Sequence, residues 1–280
     1  MKKLTLLLLV PALLLTSCGK GQKINDEKAT ELATKISEKT KGEDDDTPQN
    51  FEVVISATGA SQKDGKKVET NLKYKLSVNE ADETKLQVKG KEGDVKYDFC
   101  VMSIKQEGYE DELTYLKLYN EAEDKYDETI FLNSNDDRVT QYSYQILVPA
   151  LLLASYSDPL ALIEDEEAKN GQSQEGEGEN IITYDNTVKY YSRGDGNLTI
   201  EASKKYVSGT FKEGEEEQLE TYYTFTYDNY YIKSMVMKGK SNYNNDMKIT
   251  MDVTLKKSKI NFELPKGWEE MIAPDKSIPV

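Results

Sequence analysis

Apolar and polar residues alternate one by one along two long parts of the chain, residues 50–119 and 181–255. The clearest run is 247–255, in which five apolar side chains alternate with four polar ones. A period of two residues is typical of strands with one buried face, so the sequence predicts a large, mostly antiparallel sheet. Turn sequences that suit antiparallel hairpins lie between the runs: Asp64-Gly65, Glu92-Gly93-Asp94, Glu107-Gly108, Asp195-Gly196 and Asp228-Asn229.

The C-terminal part predicts one more strand, over Phe262–Leu264 and reaching Trp268. Pro265 follows this segment directly. Proline lacks the backbone donor that a central strand needs, so it is tolerated mainly at sheet edges. We therefore expect this segment to close the sheet as an edge strand.

Residues 24–40 have the spacing of a helix. Their apolar residues recur at i, i+3, i+4 and i+7 and form one narrow stripe: Ala29, Leu32, Ala33 and Ile36. Asn25 or Asp26 can cap the start, and Gly42 can end the helix. An acidic connector with Pro48 leads from this helix to the first strand.

Residues 138–168 interrupt the alternation and predict a central helical insert. Pro149 would kink the first helix or divide it in two. Asp158-Pro159 predicts a cap and a first helical position, with a second short helix over 160–168. Residues 169–180 contain no large apolar side chain and are typical of a flexible linker or long loop.

The run Ile146–Ala154 inside this insert is the most apolar part of the chain after its N-terminal segment. It can be plain core, or it can line an apolar cavity large enough for a lipid. Methionine adapts well to a flexible acyl chain, which favours the second interpretation slightly. The candidate ligand contacts are Ile146, Leu147, Leu151, Leu152, Met247 and Met251.

The N-terminal residues have the three-part layout of a secretory signal. Lys2 and Lys3 precede an apolar run, Leu4–Leu15, which is too short to span a bilayer. The tetrad Leu15-Thr16-Ser17-Cys18, followed by Gly19, resembles the lipobox of bacterial lipoproteins. That resemblance implies cleavage before Cys18, a diacylglycerol thioether on its sulfur, and a palmitate-type anchor to the membrane. The alternative is an ordinary secreted protein.

The composition excludes several classes of function. Removal of residues 1–17 deletes only Lys2 and Lys3 among the charged residues, which leaves 34 basic against 51 acidic residues, or −17. Such a chain repels nucleic acid and anionic headgroups. The chain has no histidine, which excludes Ser-His-Asp and Cys-His catalysis. Cys100 remains as the only other cysteine, and we expect it to be a buried, inert thiol.

Short motifs add no catalytic or metal site. Arg193-Gly194-Asp195 matches an integrin-binding tripeptide, but a Gly-rich hairpin turn accounts for every residue in it. The acidic runs lack the spacing of a calcium loop and are expected to be solvated. We therefore expect no metal, no cofactor and no enzymatic activity.

The order of helix, strands, helical insert and strands resembles the LolA-like carriers of lipoproteins and lipids, including the lipid-anchored LppX type. The resemblance rests on residues 24–264 and on no motif. It implies an α+β fold: a large, mostly antiparallel sheet in an open half-barrel, with an N-terminal helix and a central helical insert on its concave face. It also implies a carrier function, but no site residue can be carried over.

The expected organisation has three parts. Residues 1–17 are the signal peptide, 18–49 the lipidated N-terminus with helix and acidic linker, and 50–280 one sheet-based domain with the helical insert 138–168. Two separate domains are the alternative. We expect a lipoprotein on the extracytoplasmic face of the cell membrane that binds or carries an apolar or lipid ligand. The alternative is a structural or interaction lipoprotein that binds a protein or glycan partner.

Overall fold

The computed structural model describes residues 20–41, 50–63, 66–132, 137–164, 169–175, 181–211, 218–241, 247–256 and 258–273. Its helices are α1 (Asp26–Lys41), α2 (Asp137–Ser157), α3 (Pro159–Glu164) and a short 3₁₀ helix, η1 (Trp268–Met271). Its strands are β1 (Gln22–Ile24), β2 (Phe51–Lys63), β3 (Lys66–Val78), β4 (Thr84–Glu92), β5 (Val95–Ile104), β6 (Leu113–Asn120), β7 (Lys125–Phe131), β8 (Gly171–Glu175), β9 (Ile182–Gly194), β10 (Asn197–Ser208), β11 (Gln218–Asp228), β12 (Tyr231–Ser241) and β13 (Met247–Leu255).

The strands form a 13-stranded sheet in the order β1-β9-β10-β11-β12-β13-β2-β3-β4-β5-β6-β7, and β8 also pairs with β9. Every pair of strands whose register is described is antiparallel. Among the described strands the sheet stays open, because β1 and β7 stand at its two ends. The predicted fold class, a large and mostly antiparallel open sheet with few helices, is confirmed.

The chain divides into two compact units. The first, unit 1, contains Met1–Asp44 and Tyr156–Met237. The second, unit 2, contains Asp45–Ser155 and Lys238–Val280. The expected single domain over 50–280 stays a prediction.

Helix α1 belongs to unit 1 and follows the predicted stripe. Asn25 caps it: the backbone N–H of Lys28 donates to Asn25 Oδ1 at 3.0 Å. The helix packs against β9, β10 and α3. Its apolar stripe is almost completely buried there: Ala29, Leu32, Ala33 and Ile36. The helix therefore forms in the segment whose 3.6-residue period puts the apolar side chains on one face.

The predicted cap of the second short helix is also present. The backbone N–H of Leu160 donates to Asp158 Oδ1 at 3.1 Å, and Pro159 occupies the first helical position. The Ser37 hydroxyl of α1 donates to the same carboxylate, which ties the cap to the first helix. The helix α3 ends at Glu164. The predicted continuation over 165–168 lies outside the described residues.

Pro149 does not divide the longer insert helix, since α2 is assigned without a break from Asp137 to Ser157. Contacts are described at both of its ends. In unit 2, the Tyr142 and Phe99 rings pack edge to face with centroids 5.1 Å apart. In unit 1, the buried hydroxyl of Tyr227 donates to the carbonyl of Tyr156 at 2.6 Å. None of the described helices combines the length and apolar character needed to cross a bilayer.

The linker predicted over 169–180 is partly wrong. Residues 171–175 form β8, which pairs with β9 in antiparallel register. Polar side chains support this edge: Asn186 Nδ2 donates to Ser173 Oγ at 2.9 Å, and Lys204 forms an ion pair with Glu175. A polar segment can therefore form a strand when a neighbouring strand offers free backbone groups. Residues 176–180 lie outside the described part.

The closing edge strand predicted at Phe262–Leu264 and Trp268 is wrong. This segment is irregular and ends in η1. Its apolar side chains, together with Met271 and Ile272, pack on a buried cluster of unit 2: Met102, Ile104, Leu113, Tyr115 and Ile130. These apolar residues thus cover one face of the sheet. The sequence predicts instead that they form an additional strand at its edge.

Glu52 provides a pH-dependent contribution to stability within unit 2. Its carboxylate pairs with Lys256 and lies 2.5 Å from Lys75 Nζ. The hydrogen bonds from Lys256 and then Lys75 hold the pKa of Glu52 below its usual value. A carboxylate with a lowered pKa stabilises the fold above its unfolded pKa, and this contribution disappears as the pH falls through the folded pKa.

We expect Glu52→Gln to lower the free energy of unfolding at pH 7 by about 1 kcal/mol, a small effect because solvent screens the partly exposed lysines. In acid, below the folded pKa of Glu52, variant and parent should converge. Urea denaturation at a series of pH values measures both points. Equal stability of the two proteins at pH 7 would contradict the prediction.

Candidate ligand-binding site

The helical part of the predicted apolar site is only partly described. The side chain of Leu151 on α2 is 61% exposed, the largest value among the described large apolar residues. Leu152, its neighbour, is half-buried. The backbones of Ile146 and Leu147 belong to α2, but their side chains lie outside the described part. The apolar run within α2 therefore presents a leucine to solvent.

The strand part of the predicted site is better packed. Met251 on β13 is fully buried and stands opposite Ile55 of β2 in the sheet register. Met247, four residues earlier on the same face, is half-buried. This difference suits either a core that loosens toward one end of the strand or the wall of a cavity. The role of these methionines in ligand binding stays a prediction.

A second candidate site, which the sequence analysis did not find, is an open groove in unit 1. It has a volume of about 1020 Å³ and runs between β1, α1 and the end of β9. We call it the basic groove, since four of its described lining side chains are cationic. Those four are Lys23, Lys28, Lys35 and Arg193.

Close backbone contact forms one wall of the basic groove. Gly21 has a φ of 91°, and a Cβ at this position would lie 2.3 Å from the carbonyl oxygen of Ser192. Only glycine allows the chain to approach β9 so closely before β1 begins. The Ser192 hydroxyl lies 2.9 and 2.8 Å from the Gly194 and Asn197 carbonyl oxygens and donates to one of them at a time, and it accepts from the Gly194 N–H at 3.0 Å. The turn that carries Arg193 is therefore fixed by its own hydrogen bonds.

The single described carboxylate that lines the groove, Asp195, is already held by the fold. The Tyr230 hydroxyl donates to its Oδ2 at 2.7 Å, and Lys35 Nζ lies 3.6 Å from its Oδ1. The hydrogen bond from Tyr230, followed by the charge of Lys35, lowers the pKa of Asp195. Tyr230 sits at positive φ in the tight turn with Asn229, one residue later than predicted. The tripeptide Arg193-Gly194-Asp195 is thus used by the fold itself.

The four cations differ in how far they are neutralised. Lys28 and Lys35 both contact Glu31, at 2.7 and 3.1 Å. Arg193 reaches its nearest described carboxylate, that of Asp228, only at 4.0 Å. Lys23 forms no ion pair with any described residue. Among the described residues, Lys23 and Arg193 are therefore the cations of the groove that carboxylates neutralise least.

Of the two cysteines, Cys100 belongs to the part of the chain that the structure describes. Cys100 is buried on β5, and burial raises the pKa of its thiol, which keeps it protonated and unreactive. Cys18 lies outside the described residues. Within the described ranges, no group of three or more Cys, Asp or Glu side chains is placed to hold a metal ion.

Comparison with known proteins gives a weak likeness. No family model matches the chain, and no curated protein matches it. A solved LolA superfamily protein from Nitrosomonas europaea is 10% identical over 85% of this chain and 95% of its own, with a TM-score of 0.24. A structure of lipid–protein interactions in lipovitellin is 12% identical over 78% of this chain and 26% of its own, with a TM-score of 0.27.

Proposed function

We propose that this protein is a membrane-anchored extracytoplasmic lipoprotein, lipidated on Cys18, that binds an apolar or lipid ligand through helix α2. The observation that carries the ligand part is the exposure of Leu151 within the most apolar segment of the mature chain. A single exposed apolar side chain is common on a helix, but Ala154, three residues further on the same face of α2, is exposed as well. Leu151 and Ala154 together offer an apolar surface against which an acyl chain can be buried.

The names of the similar structures agree with this proposal, since one belongs to the LolA superfamily and the other concerns lipid–protein interactions. The lipobox and the apolar surface of α2 support both parts of the proposed function. The anchor would hold the protein beside a bilayer, which is a large reservoir of acyl chains. Binding an apolar ligand there requires no catalytic group, and the sequence predicts none.

We expect Leu151→Glu to weaken the binding of a fluorescent acyl probe such as cis-parinaric acid at least tenfold. Burial of one leucine side chain is worth about 1.5–3 kcal/mol, and a glutamate at this position would lose that contact. Fluorescence titration of the purified protein measures the affinity, and mass spectrometry of organic extracts shows whether lipid copurifies.

The matched control is Val95→Glu, because Val95 is 56% exposed, belongs to the same unit and lies at the start of β5. This variant should bind the probe like the parent. A parent protein that binds no probe and copurifies with no lipid would exclude the ligand function. Equal loss in both variants would place the binding surface elsewhere.

A partly exposed aromatic cluster favours the alternative function, which is binding of a protein or glycan partner. The Tyr119 and Tyr126 rings on β6 and β7 pack edge to face 5.3 Å apart. Lys96 and Lys117 lie over these rings at 4.3 and 4.7 Å. The cluster stands beside β7, which ends the sheet, so a partner could reach it.

A further inference from the structure

We propose that the basic groove of unit 1 binds the phosphate headgroup of an anionic phospholipid in the membrane that holds the protein. This inference rests on the anchoring part of the proposed function and assigns the groove a role separate from the apolar surface of α2. The ligand class is a phosphodiester headgroup with a free negative charge. Arg193 and Lys23 are the residues that would contact it.

The position of the groove along the chain places it at the membrane surface. Its lining begins at Gly21, three residues after Cys18. A fully extended chain spans at most about 3.6 Å per residue, so the Cα of Gly21 lies within about 11 Å of the Cα of Cys18. The headgroup layer on one side of a bilayer is roughly 5–8 Å thick. A chain anchored through Cys18 therefore holds the groove beside this layer.

The charge of the groove contrasts with that of the chain. The chain carries 51 acidic against 36 basic residues, and an anionic membrane repels it. The groove nevertheless gathers four cations from β1, α1 and the end of β9, of which Lys28 and Lys35 are paired with Glu31. Each Lys or Arg held near an anionic surface strengthens binding roughly fivefold. A local site of this kind would offset part of the repulsion and orient the body above its anchor.

The groove also has the chemistry for a phosphodiester. The guanidinium of Arg193 offers paired donors that fit two phosphate oxygens, and its described carboxylate neighbour is 4.0 Å away. Lys23 supplies a second charge from β1, where it pairs with Tyr191 of β9, two residues before Arg193. The volume of about 1020 Å³ accommodates a headgroup, and its open mouth allows the acyl chains to remain in the bilayer. The tether supplies the ligand at high effective concentration, so modest affinity suffices.

Native mass spectrometry of the full-length protein, purified with its anchor in neutral detergent micelles, tests the inference. The micelles contain either phosphatidylglycerol or phosphatidylcholine at equal mole fraction. We expect at least tenfold more bound phosphatidylglycerol than phosphatidylcholine. The double variant Lys23→Gln/Arg193→Gln should lose this preference, because it removes the two cations that the described carboxylates neutralise least.

The control is Lys73→Gln/Lys205→Gln, which changes the net charge equally at two exposed lysines outside the groove. It should keep the preference, and thermal unfolding should show both double variants folded. Inorganic phosphate at the lipid concentration should not displace phosphatidylglycerol; if it does, the groove is a site for free phosphate and the lipid proposal is overturned.

The two proposals fail in different ways in this experiment. If a protein whose mass includes the Cys18 lipid binds both lipids equally, the headgroup proposal for the groove is overturned and the anchor proposal stands. A preference for phosphatidylglycerol in a protein without that added mass keeps the headgroup site and removes the anchor. A preference that survives Lys23→Gln/Arg193→Gln also overturns the groove as its source.

Discussion

Replacing Cys18 with alanine is expected to abolish the incorporation of palmitate and to release the protein from the membrane. The thioether can form only on this sulfur, since the second cysteine of the chain, Cys100, is buried on β5. Each buried CH₂ of an acyl chain contributes about 0.8 kcal/mol, so two or three chains dominate every other attraction to the bilayer. Metabolic labelling with a palmitate analogue, followed by fractionation of the cells, measures both effects.

Without the anchor, little remains to hold the protein. The apolar run Leu4–Leu15 is about a dozen residues, whereas a span needs roughly 20. The acidic body is repelled by anionic lipid, and the few cations of the basic groove act on one headgroup at a time. Cys100→Ala is the control and should stay labelled and membrane-bound. A Cys18→Ala protein that keeps its label, or remains in the membrane fraction unchanged, would contradict the proposal that the protein is a lipoprotein.

The regular elements could be predicted because their local signals agree with the fold. The run at Met247–Leu255 alternates without a fault, and β13 has these bounds. Helix α1 has one apolar stripe and a cap at Asn25, and both signals are used. In such segments local propensity and tertiary burial favour the same structure, so the secondary structure can be predicted from a single sequence.

The polar edge strands could not be predicted from the sequence. Strand β8 contains Gly171, two glutamines, a serine and a glutamate, and has no buried residue. Strand β7 starts with three exposed residues and becomes buried only near Phe131. Strand β1 has three residues. These strands form because a neighbouring strand has free backbone donors and acceptors. The side-chain pattern of the segment itself contains no signal of that neighbour.

The basic groove was missed for a related reason. Its cations come from β1, from two turns of α1 and from the hairpin after β9, so they are up to 170 positions apart in sequence. Each of them looks like an ordinary solvated charge in an acidic chain. The tripeptide Arg193-Gly194-Asp195 lies in the hairpin that lines the groove. Its contribution to a binding site depends on Gly21 and Lys23, which lie beside it in the structure. A site assembled across a sheet becomes visible only with the register of β1 on β9.

Replacing Met251 with alanine is expected to lower the free energy of unfolding by about 3 kcal/mol, within the range for a buried Met→Ala change. Met251 is fully buried at the middle of β13, opposite Ile55 of β2. The truncation would leave a cavity that the paired strands cannot fill, because their backbones are fixed by the sheet. Chemical denaturation of the purified protein measures the loss.

Met247→Ala is the matched control, since Met247 lies on the same face of the same strand but is only half-buried. We expect it to cost less than about 1 kcal/mol, because less apolar area returns to water. Stability and probe affinity of Met251→Ala together show whether Met251 belongs to a solid core or to a ligand site. If Met251 packs in a solid core, Met251→Ala destabilises the protein and leaves the affinity for cis-parinaric acid unchanged. If it lines a ligand cavity, the stability of the ligand-free protein barely changes and the affinity falls, which would contradict the stability prediction and support the candidate contact.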